Sequence, residues 1–208
     1  MKKISFMVLI FSGIFSGVFA QSEGRVKMKL AYNAAMPLGD FKSSYISNTS
    51  FRGVTGEIGY WFNPKLAIGV QAGYQSYYQK YGRQVYKLDG NQTMSAVLSN
   101  TLEMMPVLVN GTFSPLAASG KLIQPYVSAG VGLNMISYTQ YYGEFSNGNT
   151  HAGFTAQAGA GLMVPLGSRL NNANLQLGAT YNYVPYNRNG LKNLNNAGVQ
   201  VGVVFPLK

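Results

Sequence analysis

LQLGATYNY, residues 175–183, decides the fold of this chain, because its side chains alternate strictly in character. One parity is apolar or aromatic: Leu175, Leu177, Ala179, Tyr181 and Tyr183. The other parity is small or polar: Gln176, Gly178, Thr180 and Asn182. A period of two residues predicts a β-strand with two different faces. The outside of a soluble barrel would show charge, so the uncharged polar face predicts a confined polar interior instead.

The same alternation recurs in seven other segments, five of 9–13 residues and two of 17 and 18 residues. They cover residues 26–36, 51–62, 66–78, 96–113, 125–141, 152–164 and 197–205. About 9–11 residues suffice for a tilted strand to cross a membrane. The sequence therefore predicts an all-β fold: an eight-stranded antiparallel up-and-down transmembrane β-barrel.

The segment 96–113 is the least regular of the eight. Leu102, Met104 and Leu108 share one parity, which we expect to face lipid, and Glu103 then faces the lumen. Proline cannot donate to a sheet ladder, so Pro106 predicts a bulge or a local break.

The N-terminus has the layout of a secretory signal peptide. A basic start, Lys2 and Lys3, precedes an uncharged apolar run over residues 4–19, and the run ends at Ala20. A membrane anchor is the alternative, but serines and glycines interrupt the run, which is shorter than the ~20 residues of a spanning helix. We expect a signal peptide over residues 1–20 and an outer-membrane β-barrel domain over residues 21–208.

Composition excludes several classes of protein. The chain has no cysteine, so it has no disulfides, thiolate metal sites or lipoprotein anchor. Charged residues make up 11% of the chain, below the ~25% of ordinary soluble domains. Residues 21–208 keep 14 Lys and Arg against 6 Asp and Glu, a formal charge of +8. In an exported protein this favours anionic lipid headgroups over nucleic acid.

No pattern of catalytic or cofactor-binding residues is present. The single histidine, His151, excludes multi-histidine zinc motifs and leaves little room for a hydrolase triad. Gly159-Ala160-Gly161 resembles the start of a dinucleotide fingerprint, but it lies inside an alternating strand. The sequence therefore predicts no enzyme, no cofactor and no metal.

Taken together, the chain resembles the small eight-stranded outer-membrane β-barrel family, the OmpX/OmpA-like proteins. The resemblance rests on the secretory start, on MPLGDF at 36–41, on GYWFNPKL at 59–66, on QPYVSAGVG at 124–132 and on the final alternating strand. It covers nearly all of residues 21–208. It implies a location in the cell outer membrane and roles in adhesion or envelope integrity. Many members end on the aromatic residue itself, whereas here three residues follow Phe205.

Four charged residues fall on the predicted lumen parity: Lys27, Lys29, Glu57 and Glu103. Buried charges are tolerated only when they are paired. One hypothesis is therefore an ion-pair network that plugs the lumen. The alternative is that Lys27 and Lys29 are solvated near the periplasmic rim. Because an eight-stranded barrel is only wide enough for side chains to fill it, we expect no solute-conducting pore.

We expect the longer connections, 37–50, 79–95, 142–151 and 185–196, to be extracellular loops through which the protein acts. Their excess of basic residues indicates either attraction to lipopolysaccharide phosphates or an acidic partner, or simply solvated loops. Expected partners are outer-membrane lipids, lipopolysaccharide, the barrel-assembly machinery and an unknown extracellular partner. A narrow channel or small-ligand-binding barrel and a soluble secreted calycin-like barrel are the rival interpretations.

Overall fold

The computed structural model of the protein describes residues 25–87, 93–117, 119, 122–142, 145–166, 173–188 and 191–207. The expected signal peptide, residues 1–20, lies outside these ranges. In chain order the elements are β1 Val26–Pro37, α1 Asp40–Ser44, β2 Ser50–Asn63, β3 Leu66–Lys87, β4 Thr93–Phe113, β5 Gln124–Tyr142, β6 Phe145–Pro165, β7 Asn174–Tyr183, β8 Asn187–Arg188, β9 Leu191–Lys192 and β10 Asn196–Pro206.

Eight of these strands form one closed antiparallel barrel. Their order around the barrel is β1-β10-β7-β6-β5-β4-β3-β2, so each strand pairs with its neighbour in sequence, and β1 closes the ring against β10. The small strands β8 and β9 pair only with each other. The predicted up-and-down barrel is confirmed. Among the described residues, no helix is long and apolar enough to cross a membrane.

Side-chain direction in the barrel follows the predicted parity in seven of the eight strands. Leu177 is 48% exposed on the outer wall, whereas its neighbour Gln176 is 3% exposed in the lumen. Val199 and Gln200 show the same contrast at 53% and 5%. An apolar outer wall around a polar interior is the reverse of a soluble barrel, so the calycin-like interpretation is wrong.

The apolar outer wall has a clear upper boundary. On β5 the outward positions from Val127 to Met135 are apolar, and the next outward position is Ser137. The register places four polar residues side by side at this boundary, on β3, β4, β5 and β6: Ser76, Glu103, Ser137 and Thr150. The apolar part of β5 is therefore about 9 residues long, which matches a tilted membrane crossing.

The predicted parity of β4 is wrong. Leu102, Met104 and Leu108 are buried in the lumen, whereas Val107 and Val109 lie on the outer wall. The sequence interpretation placed Glu103 in the lumen, on the face opposite Leu102 and Met104. In the structure Glu103 lies on the outer face, just beyond the apolar part of the strand. Outside the membrane a carboxylate no longer marks the lumen side of a strand.

The expected break at Pro106 is present. The pairing of β3 with β4 skips two positions between Ala72↔Val107 and Gln75↔Met104. Pro106 has no N–H to donate to β3 at this point, so the ladder loses a bond without changing its register.

Two of the four predicted loops are largely strand. The β3–β4 hairpin keeps its pairing as far as Lys87↔Thr93, and the β5–β6 hairpin as far as Tyr142↔Phe145. Alternation fades in these stretches because water lies on the outer side, so the outward positions no longer need to be apolar. We call the four strand ends above Ser76, Glu103, Ser137 and Thr150 the strand extension.

The boundary of the apolar wall predicts a sharp contrast between two variants on one face of β5. Val131→Arg places a charge in the middle of the apolar wall and should lower the free energy of unfolding by about 2–4 kcal/mol. Thr139→Arg lies on the same face within the strand extension and should cost less than about 1 kcal/mol. Urea unfolding in lipid vesicles measures both, and equal losses would contradict the assigned boundary.

Candidate functional site

A buried ion pair lies in the lower lumen. Lys29 on β1 lies directly opposite Glu57 on β2, and its Nζ is 3.1 Å from Glu57 Oε2. The same carboxylate oxygen accepts a hydrogen bond of 3.2 Å from the side-chain amide of Asn110 on β4. The pair thus ties three strands together across the lumen. Its charges are compensated, as burial requires.

The other two members of the predicted network lie elsewhere. Lys27 is half-buried, and its Nζ lies 5.2 Å from the ring centroid of Trp61, which is a cation–π contact. Glu103 is on the outer wall, where it accepts a hydrogen bond of 2.7 Å from the Tyr74 hydroxyl. The hypothesis of a four-residue network is therefore corrected to the single pair Lys29–Glu57.

Above the ion pair, neutral amides cross the lumen in a hydrogen-bonded chain. Gln71 donates to Gln157 at 3.1 Å, Gln157 donates to Asn182 at 2.8 Å, and Asn182 donates to Asn196 at 2.8 Å. The cavity that remains between them has a volume of about 50 Å³. This is room for a few water molecules at ~10–15 Å³ of accessible volume each.

Tyr126 lies in the lumen over two glycines of the next two strands, Gly161 on β6 and Gly178 on β7. A Cβ at Gly161 would lie 2.8 Å from the Tyr126 ring, and one at Gly178 would collide with its hydroxyl. The hydroxyl instead accepts a hydrogen bond of 3.2 Å from Gln200. These glycines are needed for the close approach of the tyrosine.

The end of the barrel that carries the longer connections, which we call the mouth, is closed by an apolar cluster. Phe41 on α1 and Ile46 after it are fully buried, as are Val184 and Leu194 from the last connection. We call the cluster the mouth plug; its other members are Ala35, Tyr45, Tyr77, Leu102, Met104, Ile136 and Tyr186. Phe41 packs edge-on against Tyr77 at 5.0 Å between ring centroids. Because Leu102 and Met104 meet these loop residues, apolar side chains suit the lumen at this level.

Hydrogen bonds fix the first connection in the mouth. The carbonyl of Tyr45 accepts hydrogen bonds from the Tyr81 hydroxyl at 2.8 Å and from Asn100 at 3.2 Å. The N–H of Leu38 donates to the carbonyl of Asn195 at 2.9 Å, which joins the first connection to the last. Burial raises the pKa of the Tyr45 hydroxyl well above its ordinary value, so it stays protonated as a hydrogen-bond donor.

Parts of the first and last predicted loops, 37–50 and 185–196, thus fold back into the barrel, while the small β8–β9 hairpin of the last loop stays exposed. The sequence interpretation missed the mouth plug. Its signal was the group of apolar and aromatic residues in the first connection, Phe41, Tyr45 and Ile46. Within the described parts of the chain, no three His, Asp or Glu residues converge as metal ligands.

The strand extension is the exposed part of the molecule above the apolar wall. From Ser76 to Lys87, β3 runs on for about 35 Å at roughly 3.3 Å per residue. Exposed basic side chains predominate on this side of the described chain: Lys42, Arg52, Lys80, Arg83, Arg188 and Lys192. The described acidic residues there are Asp40 and Glu103.

Known proteins resemble this chain in both family and fold. The sequence model of one protein family, the outer membrane protein beta-barrel domain, matches residues 6–205 of this chain. Neisserial surface protein A is similar in structure, with a TM-score of 0.55 and 16% identity over 88% of this chain and 96% of that one.

Two further solved structures share the fold. The attachment invasion locus protein Ail of Yersinia pestis, solved with the heparin analogue sucrose octasulfate, has a TM-score of 0.51 and 15% identity over 89% of this chain and 100% of its own. OprG of Pseudomonas aeruginosa has a TM-score of 0.51 and 12% identity over 89% and 97%. No curated protein matches the sequence.

Because Glu57 is in the buried ion pair and Glu103 is not, we expect their replacement by glutamine to lower the free energy of unfolding by different amounts. Glu57→Gln leaves Lys29 buried without its countercharge and should cost about 3–5 kcal/mol of unfolding free energy. The matched change Glu103→Gln, on the outer wall, keeps an acceptor for Tyr74 and should cost less than about 1 kcal/mol. The fluorescence of Trp61, the single tryptophan, reports unfolding in urea. A Glu57→Gln loss as small as that of Glu103→Gln would show that the pair contributes little.

Proposed function

The chain belongs to the outer membrane protein beta-barrel domain family and lies in the cell outer membrane, and from this premise we propose that it is a surface-interaction protein. The barrel anchors the chain, and the strand extension presents a recognition surface outside the cell. The observation that carries this proposal is the continued pairing of β3 with β4 to Lys87↔Thr93, far beyond the apolar wall. A barrel that served only to span the membrane would not need these ordered strand ends.

The filled lumen supports an anchoring role over transport. The ion pair, the amide chain and the mouth plug occupy successive levels of the interior, and the cavity of about 50 Å³ lies between them. A solute larger than water would have to displace several hydrogen-bonded side chains at once. Among the described residues the lumen therefore offers no open path, which argues against the rival interpretation of a narrow channel.

The charge of the exposed surface favours an anionic partner. Lys80 and Arg83 lie on the strand extension, and Arg188 and Lys192 lie on the small hairpin beside the mouth. Clustered basic residues raise the local concentration of anionic partners and their rate of association. The similarity of fold to Ail, which was solved with a heparin analogue, makes a sulfated polysaccharide the partner class to test first.

Trimming the extension tests the proposal. Replacing residues 81–98 with Asn-Gly joins Lys80 to Ser99, which are already paired, through a two-residue hairpin turn. Cells that display the trimmed protein should bind immobilised heparin about tenfold less than cells with the intact protein. The double variant Lys80→Gln with Arg83→Gln should show a loss of the same kind without any change of backbone.

Two controls keep this test decisive. The trimmed barrel should retain heat-modifiable gel mobility, which shows that it has assembled. Lys65→Gln, a matched loss of charge in the turn at the opposite end of the barrel, should leave heparin binding unchanged. If the intact protein does not bind heparin, or if the trimmed protein binds it equally well, adhesion to sulfated polysaccharide through the extension is wrong.

A further inference from the structure

A second surface feature lies at the opposite, periplasmic end of the barrel. The turn between β2 and β3 and the end of β4 enclose an open cleft of about 320 Å³. Its lining is Asn63, Pro64, Lys65, Leu66 and Phe113. Two large apolar side chains, a proline and one cation therefore line a single cleft.

The cleft is preformed by its own hydrogen bonds. The side-chain oxygen of Asn63 accepts bonds of 2.9 Å from the N–H groups of both Lys65 and Leu66. The carbonyl of Lys65 accepts a bond of 2.7 Å from the N–H of Ser114. The turn is thus fixed to the next connection, while the ammonium group of Lys65 remains exposed.

No described residue at this end carries an exposed carboxylate, and in the sequence Glu23 precedes Arg25 by two residues. Lys65 and Arg25 are exposed, and the nearest carboxylate along the described strands, Glu57, is buried and paired with Lys29. In the sequence, the two other connections on this side, 114–123 and 166–173, each hold one basic residue and no acidic one. Those basic residues, Lys121 and Arg169, lie outside the described residues.

The cleft is continuous with the lipid-facing wall. Leu66 and Phe113 are the last outward apolar residues of β3 and β4 at this end, and they lie opposite each other in the register. Leu122, Ile123 and Leu166, in the neighbouring connections, are also exposed. Apolar side chains beside an exposed cation suit the boundary between acyl chains and headgroups.

We propose that this cleft binds one anionic phospholipid of the periplasmic leaflet, with its phosphate at Lys65 and its acyl chains against Leu66 and Phe113. Phosphatidylglycerol has the required chemistry, because it combines a net negative headgroup with acyl chains. Lipopolysaccharide belongs to the opposite leaflet, beyond reach of the cleft. Free phosphate would meet the ammonium group but would gain nothing from the apolar walls. This inference is independent of the proposed adhesion.

Native mass spectrometry of the detergent-purified barrel tests the inference. Titration with phosphatidylglycerol and with phosphatidylethanolamine of the same acyl chains compares headgroup charge at constant apolar area. The intact protein should prefer phosphatidylglycerol, and Lys65→Gln should weaken that binding about fivefold, the effect expected of one basic residue at a lipid surface. Lys80→Gln, at the other end of the molecule, is the matched control and should change nothing.

Two further measurements separate the lipid from other sources of charge. Phe113→Ser should weaken binding of both lipids, because it removes apolar contact without altering charge. Inorganic phosphate should not compete with phosphatidylglycerol at equal concentration. Equal affinity for the two lipids, an unchanged affinity in Lys65→Gln, or competition by free phosphate would each overturn the proposed lipid site. None of these results depends on heparin binding.

Discussion

The closure of β1 against β10 is the constraint on which the structure depends. Hydrocarbon offers no hydrogen-bond partner, so every backbone group of a spanning strand must be satisfied by a neighbouring strand. A ring of eight strands meets this requirement with no open edge within the membrane. Once the ring is closed, each side chain faces either lipid or a narrow interior, and alternation along the chain follows from that choice.

The interior is ordered by polarity from the periplasmic end to the mouth. The Lys29–Glu57 pair lies lowest, neutral amides follow, and the mouth plug closes the top. The charged side chains of the lumen thus lie far from the mouth, where loop residues supply apolar contacts instead. The barrel uses two of its connections to fill its own mouth, and two of its hairpins remain for the outside.

The sequence predicted the closed barrel and the lumen side of most strands, because lipid enforces a strict contrast between adjacent residues. It failed on β4 for a physical reason. Leu102 and Met104 are apolar but face the lumen, because they pack within the mouth plug. Glu103 is charged but faces outward, because it lies beyond the apolar wall. Neither an apolar nor a charged side chain therefore indicates the correct face of β4 there. The same loss of contrast hid the strand extension. Lys27 contacts Trp61, and Glu103 accepts a hydrogen bond from Tyr74. These contacts depend on the register between neighbouring strands, which alternation along one strand does not specify.

The strand extension rises from only one side of the ring, since β3 to β6 continue upward while β1, β2, β7 and β10 end near the mouth. The molecule therefore has a front and a back when viewed down the membrane normal. A protein embedded in a bilayer can spin about that normal but cannot tumble. Encounter with a fixed partner on another surface then depends on the angle of this spin, so a crowded membrane that slowed rotation would also slow capture.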